Sequence, residues 1–323
     1  RTHGFADVSD LLASLGFTRD DLADQLYESL HTKLLTLPDA TRVYPAQGAG
    51  SACGKNLSTE TWSTIGDQRV ENYALLAPDK ATFVDLVTEG QPPAPSYFVY
   101  DAVLNRQDRP LLDENAPLRS LDLAEVDALV ADGAVLLDGR TPEEFAHGHL
   151  DGSINVGLDG RYAEFAGSVV PSDVDIVLVV EPGFEREGRN RLGRIGFDRV
   201  VGHLADPLGV MAAHPNRTDR ASRLTVREFE QRRHELDGVQ IVDIRNPGEV
   251  ALGAVPDSVT IPVGQLPARL GELDPAAPTV VYCAGGYRSS VAASLLRTHG
   301  FADVSDLLGG FGAWVEVTQM PTG

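Results

Sequence analysis

An internal repeat constrains this chain most. Leu137-Asp138-Gly139-Arg140-Thr141-Pro142-Glu143-Glu144 and Val242-Asp243-Ile244-Arg245-Asn246-Pro247-Gly248-Glu249 both read apolar-Asp-x-Arg-x-Pro-x-Glu, 105 residues apart. At the same offset Ser153-Ile154-Asn155-Val156 meets Ser258-Val259-Thr260-Ile261. Further on, Gly196-Phe197-Asp198-Arg199-Val200 meets Gly300-Phe301-Ala302-Asp303-Val304. Matches in one order across most of the unit predict two copies of one domain. Within each copy apolar strands alternate with helices, which predicts an α/β unit on a mostly parallel sheet. The 323 residues leave room for a further segment, since domains run to about 100–150 residues.

A second repeat is of another kind. Residues Arg1 to Leu12 are identical to Arg297 to Leu308. Twelve identities in a row, with divergence beyond them, read as recombination, a fusion junction or an assembly error. The segment completes a domain at 297–308 and has none before it at 1–12, so the chain reads as a fragment or a processed product.

Charge narrows the partners. There are 27 Lys+Arg against 47 Asp+Glu, a formal net charge of −20. Such a surface repels phosphate backbones and anionic membranes, so neither nucleic acid nor a membrane is an expected partner. The longest aliphatic run, Ile176 to Val180, is far short of the roughly 20 residues of a membrane span. Two cysteines, Cys53 and Cys283, exclude a disulfide scaffold and point to a reducing, cytoplasmic compartment.

The chemistry concentrates at Cys283. The apolar strand Thr279-Val280-Val281-Tyr282 leads into Cys283-Ala284-Gly285-Gly286-Tyr287-Arg288-Ser289-Ser290 and then a helix through Val291, Leu295 and Leu296. Gly285 and Gly286 let the loop turn sharply and aim N–H groups inward, forming an anion nest. Ser289 and Ser290 open a helix whose positive end faces the same space. Arg288 adds a permanent charge. Together these favour thiolate over thiol at Cys283. A thiolate in such a cradle can attack a sulfane sulfur and hold it as a persulfide, or attack a phosphorus or arsenic oxyanion.

Residues 220–323 resemble the rhodanese family of sulfurtransferases. The likeness rests on Cys-x-x-Gly-x-Arg at 283–288, on Asp243-x-Arg245, and on the terminal Gly309-Gly310-Phe311-Gly312-Ala313-Trp314. It implies Cys283 as the persulfide-carrying nucleophile, assisted by Arg288. Ala284, Gly285, Gly286, Tyr287 and Ser289 would form the anion-binding loop, with Asp243 and Arg245 in support. Related phosphatases have one residue more between Cys and Arg, so the short loop favours sulfur transfer. Gly253-Ala254-Val255-Pro256-Asp257-Ser258 departs from the family by lacking a histidine that transfer does not need. Residues 115–212 also resemble a rhodanese domain, with Asp138-x-Arg140 and Gly148-His149-Leu150-Asp151-Gly152. After Val180, where the cysteine is expected, they have Glu181-Pro182-Gly183. This copy cannot form a persulfide, and a structural or regulatory role is expected of it. His147 and His149, two residues apart, make a poor metal pair; His149 is expected to pack beside the sheet.

Residues 13–114 differ in character. Thr18 with Asp21 can cap a helix, and Leu22, Leu26, Leu30 and Leu34 give it an apolar face reaching towards Pro38. A short strand at Arg42-Val43-Tyr44 precedes the glycine-rich loop from Pro45 to Lys55, and Pro92-Pro93-Ala94-Pro95 forms a rigid connector. Residues 13–112 resemble the C-terminal part of metallo-β-lactamase-fold persulfide dioxygenases and glyoxalase II-like proteins. The matching stretches are Asp10-Leu11-Leu12-Ala13-Ser14, Leu26-Tyr27-Glu28-Ser29-Leu30, Tyr44 to Lys55 and Gln91 to Phe98. That family's metal site is not carried over. Its His-x-His-x-Asp-His motif is absent, and Gln47 stands at the ligating loop histidine, a weak ligand beside imidazole. No cofactor is therefore expected; iron or zinc would require the upstream half. Cys53 lacks an arginine-closed loop and reads as structural.

The expected architecture is α/β. Residues 1–114 form a partial metallo-β-lactamase-like αββα segment, 115–215 a rhodanese-like domain without cysteine, and 216–323 an active-type rhodanese domain, the last two on parallel sheets. A linker is expected over 212–222. The expected activity is transfer of sulfane sulfur from thiosulfate or a low-molecular-weight persulfide to a thiol or cyanide. Partners are a small sulfur donor and a thiol acceptor, and a homo-oligomer stays open. The rival readings are a dioxygenase or thioester hydrolase, which needs metal, and a non-catalytic scaffold.

Overall fold

The computed structural model describes residues 18–44, 61–89, 97–108, 112–236 and 238–319. The copy of the identical segment at 1–12, the loop carrying Gln47 and Cys53, and the proline connector lie outside them. The chain divides into two compact units, residues 1–94 and 95–323. Among the described residues no helix is long and apolar enough to cross a membrane.

In the first unit, helix Arg19–Ser29 begins with the expected box. The Asp21 N–H donates to Thr18 Oγ1 at 3.1 Å and the Thr18 N–H to Asp21 Oδ2 at 2.8 Å. Leu22 and Leu26 are buried, but the apolar face stops short of Leu34. After Ser29 the backbone widens into a π-helical turn over Leu30–Leu34. That change of period turns Leu34 outward, where it is 47% exposed. Helix Lys80–Thr88 supplies Phe83, which is buried with Leu26 and meets the Tyr27 ring edge-on at 5.2 Å. Strand Arg42–Val43 forms as expected and pairs antiparallel with Ser63–Thr64.

The second unit holds both repeats. In the first copy β1 is Ser120–Leu121, α1 Leu123–Ala131, β2 Val135–Asp138, α2 Pro142–His147, β3 Ser153–Asn155, α3 Tyr162–Val169, β4 Ile176–Val179, α4 Glu185–Gly193 and β5 Val200–Leu204. In the second copy β6 is Ser222–Leu224, α5 Val226–Glu235, β7 Gln240–Asp243, α6 Pro247–Val250, β8 Val259–Thr260, β9 Thr279–Tyr282, α7 Tyr287–Thr298, β10 Val304–Leu307 and α8 Gly310–Gln319. The sheets have the same order, β1-β5-β4-β2-β3 and β6-β10-β9-β7-β8, and every pairing in them is parallel. Helices cover both faces of a parallel sheet, so its central strands read as unbroken apolar runs. β4 and β9 are indeed buried at every residue. Capping boxes start the helices of both copies at matching places, Asp122 and Thr141 in the first, Thr225 and Asn246 in the second.

The copies pack on each other through α7 and β3. Asn155, fully buried, sits at this seam. Its backbone N–H donates to Ser294 Oγ at 2.9 Å, and its side-chain oxygen accepts from Ser290 Oγ at 2.6 Å. Its Nδ2 turns back to the Asp138 and Arg140 carbonyls at 3.2 and 2.9 Å. The expected linker is held to the first copy. Thr218–Asp219 pairs antiparallel with His149–Leu150, and Arg217 reaches Asp127 at 2.6 Å.

Candidate active site in the second copy

The Cys283 loop leaves the C-terminal end of β9, where open α/β sheets place their ligands. Gly286 has φ +103°, the left-handed region that glycine alone enters without strain. This turn points its N–H back at the cysteine, and the Gly286 N–H donates to Cys283 Sγ at 3.0 Å. The cysteine is 1% exposed, while Ala284 and Gly285 at the rim are exposed. Ser289, buried in the first turn of α7, brings its Oγ to 3.7 Å from the sulfur. The same hydroxyl lies 3.0 Å from the Gly286 carbonyl and 3.4 Å from Asp306 Oδ2. Burial pushes the Asp306 carboxyl up, against the pull of Arg223, whose Nε lies 3.2 Å away.

The far wall is the glycine pair of the terminal segment. The Phe311 N–H donates to the Cys283 carbonyl at 2.7 Å and the Gly312 N–H to the Ala284 carbonyl at 3.2 Å. A Cβ on Gly310 would lie 2.2 Å from the Cys283 carbonyl oxygen, so only glycine lets the backbones approach this closely.

Arg288 is near the sulfur but not dedicated to it. Its guanidinium forks onto Glu249, Nη1 to Oε2 at 2.7 Å and Nη2 to Oε1 at 2.6 Å. Burial works against the Arg288 cation, but Glu249 and Cys283 outweigh it and hold its pKa above the ordinary arginine value. The Arg288 fork holds the Glu249 carboxyl below the usual carboxylate range, against its partial burial. Tyr287 points away from the loop into the first copy, donating to the Gly157 carbonyl at 2.5 Å.

Asp243 and Arg245 form a buried ion pair, with Arg245 Nη2 2.6 Å from Asp243 Oδ2. Arg245 Nη2 also donates to the Gly253 carbonyl at 2.7 Å, and the Tyr282 hydroxyl donates to Asp243 Oδ2 at 2.6 Å. The first copy repeats this. Arg140 Nη2 lies 2.5 Å from Asp138 Oδ2 and donates to the Gly148 carbonyl at 3.0 Å. In both copies the arginine ties a strand end to the backbone eight residues on, which makes the pair a staple of the fold.

The first copy's loop is built differently. Asp138 stands opposite Val179 in its ladder as Asp243 stands opposite Tyr282. Val180, not Glu181, therefore occupies the place of Cys283. The sequence hides this because Val180 prolongs the aliphatic run past the strand end. Gly183 keeps the left-handed turn at φ +99°, which sets Glu185 at the place of Arg288. The Gly183 N–H donates to that carboxylate, 3.0 Å from each oxygen. Glu181 is held above the ordinary carboxylate range by its neighbour Glu144. His149 is buried beside the sheet as expected, stacked on Phe145 at 3.7 Å, whereas His147 is exposed and bonded to the Glu143 carbonyl.

Comparison with known families matches residues 122–204 and 225–317 to the rhodanese-like domain. The chain belongs to the rhodanese family. A sulfurtransferase of Allochromatium vinosum is 38% identical over 84 residues, 26% of this chain and 78% of that protein. The thiosulfate sulfurtransferase GlpE of Pseudomonas paraeruginosa is 36% identical over 105 residues, 32% of this chain and 94% of that one. A metallo-beta-lactamase from Staphylococcus aureus superposes with a TM-score of 0.49 at 26% identity, covering 57% of this chain and about half, 51%, of that one. Residues 122–204 and 225–317 of the second unit thus form a tandem of two rhodanese-like α/β domains. Among the described residues no group of three or more His, Cys, Asp or Glu could hold a metal ion.

Glu249, Asp306 and Tyr282 escaped the sequence reading as site residues. Glu249 was visible as the third helical residue of a capping box. Its reach to Arg288, 39 residues away, had no local signal.

Proposed function

We propose that this chain is a rhodanese-type sulfurtransferase whose second copy, residues 216–323, carries sulfane sulfur on Cys283. The first copy, residues 115–215, serves as its cysteine-free partner. The observation that carries the reading is the Gly286 N–H directed at Cys283 Sγ at 3.0 Å, at the C-terminal end of a parallel sheet. In the first half-reaction the Cys283 thiolate attacks the outer sulfur of thiosulfate or of a low-molecular-weight persulfide. A sulfur–sulfur bond forms, and the donor's own bond breaks with its electron pair leaving on sulfite or on the thiolate. In the second half-reaction a thiol or cyanide takes the outer sulfur and Cys283 returns as thiolate. The Gly286 N–H, the Ser289 hydroxyl and the Arg288 guanidinium are the groups placed to stabilise anionic sulfur through both halves. We read residues 1–114 as part of a metallo-β-lactamase-like segment on their sequence motifs; its Gln47 loop lies outside the described residues.

The test is thiocyanate formation from thiosulfate or glutathione persulfide and cyanide, with Cys283→Ser and Cys53→Ser compared with the native chain. Loss in Cys283→Ser alone, with a mass gain of one sulfur on Cys283 when donor is added without acceptor, is the expected result. Activity that survives Cys283→Ser refutes the reading, as does a folded native chain inert to both donors.

A further inference from the structure

We propose that Glu249 is a specificity-determining residue: by neutralising Arg288 at the mouth of the Cys283 loop, it makes the site favour singly charged sulfane donors over doubly charged thiosulfate. This inference rests on the sulfurtransferase reading and deepens it.

The Glu249–Arg288 pair lies at the rim. The side chains are 35% and 16% exposed, in contrast with Asp243 and Arg245 at 0% and 3%. Glu249 is not free to swing away. The Asn246 N–H donates to its Oε2 at 3.0 Å, which fixes the carboxylate to the start of α6. The other two cations close by are already paired, Arg245 with Asp243 and Arg223, behind Gly286, with Asp306. The charges that face an incoming donor are therefore the Arg288 cation, the Glu249 carboxylate and the Cys283 thiolate, a sum of one negative charge. Without Glu249 that sum would be zero.

Thiosulfate and methanethiosulfonate offer the same chemistry with different charge. In each the Cys283 thiolate forms a bond to the outer sulfur, and the donor's sulfur–sulfur bond breaks. Its electron pair leaves on sulfite in the first case and on methanesulfinate in the second, and charge is conserved in both. The work of bringing a donor to the loop scales with its charge, so a dianion feels twice the free-energy change that a monoanion feels. Any factor by which Glu249 slows the monoanion is thus squared for the dianion.

Glu249→Gln keeps an oxygen for the Asn246 N–H and for Arg288 while removing the charge. It is expected to raise kcat/KM about threefold for methanethiosulfonate and about tenfold for thiosulfate, with cyanide as acceptor. The ratio between donors cancels any change in thiol reactivity common to both. On the native chain, kcat/KM should rise with ionic strength, about twice as steeply on a logarithmic scale for thiosulfate, and Glu249→Gln should flatten both slopes. An unchanged donor ratio in a folded Glu249→Gln chain overturns the inference while leaving Cys283 chemistry intact. So does a native rate that falls with salt. A native chain that turns over neither donor overturns the inference together with the reading beneath it.

Discussion

Replacing Asn155 with alanine should destabilise the second copy by a change made in the first. The side chain makes three hydrogen bonds in a fully buried site: to the Arg140 carbonyl at 2.9 Å, to the Asp138 carbonyl at 3.2 Å and from Ser290 Oγ at 2.6 Å. The Asp138 carbonyl keeps the Val156 N–H at 2.8 Å, but the Ser290 hydroxyl would lose its partner. At about 1 kcal/mol net per bond, with an added penalty for a buried group left unpaired, the loss comes to about 3–4 kcal/mol. With a urea slope of about 2 kcal/mol/M, the midpoint should fall by about 1.5–2 M. Ser290→Ala removes one of the three bonds and should cost about 1 kcal/mol. The two losses should not add, because the bond between the residues is counted in each. Fluorescence of Trp314, whose indole N–H donates to Glu230 at 2.7 Å, reports on the second copy once Trp62 is replaced by Phe. A Trp314 transition that stays in place in Asn155→Ala would refute the reasoning, since the copies would then unfold independently.

Other outcomes follow from the same geometry. Asp138→Asn and Asp243→Asn each leave a buried arginine without its counter-charge, and each should cost about 3–5 kcal/mol by denaturant unfolding. A mild effect in the first copy beside a severe one in the second would show that the staple is not shared. His149 has its pKa lowered by burial, so the folded chain prefers the neutral ring while the unfolded chain takes up a proton below about pH 6.5. Its contribution to stability is complete above that pH and is lost as pH falls through the window below it. His149→Asn should flatten stability between about pH 7 and pH 5, and an unchanged slope would reject the assignment.

Periodic and local features were legible in the sequence. The alternation of apolar runs with helices announced two parallel α/β units, because each buried strand is written in neighbouring residues. The same holds for the Thr18 box and for the Cys283 turn, whose glycines specify the backbone directly. The parts that were not legible depend on distance. Leu34 follows the helical spacing of Leu22 and Leu26, yet a π turn moves it outward. Val180 looked like strand interior until the ladder paired Val179 with Asp138 and ended the strand there. Arg288 reads as a free cation, and only the fold brings Glu249 to it. Tyr287 sits inside the loop by sequence but spends its hydroxyl on Gly157 in the other copy.

The loop around Gly183 also limits how the first copy could be made reactive. Val180→Cys would install a thiol at the equivalent position, but the N–H meant to face it is already bonded to Glu185. The new sulfur would meet a resident anion where Cys283 has Arg288 and an available backbone donor. Conversion therefore demands exchange of the loop-end carboxylate as well as the thiol. The first loop is a cradle whose occupant is covalently part of the chain, so this half of the tandem is locked by its own side chain as well as by a missing nucleophile.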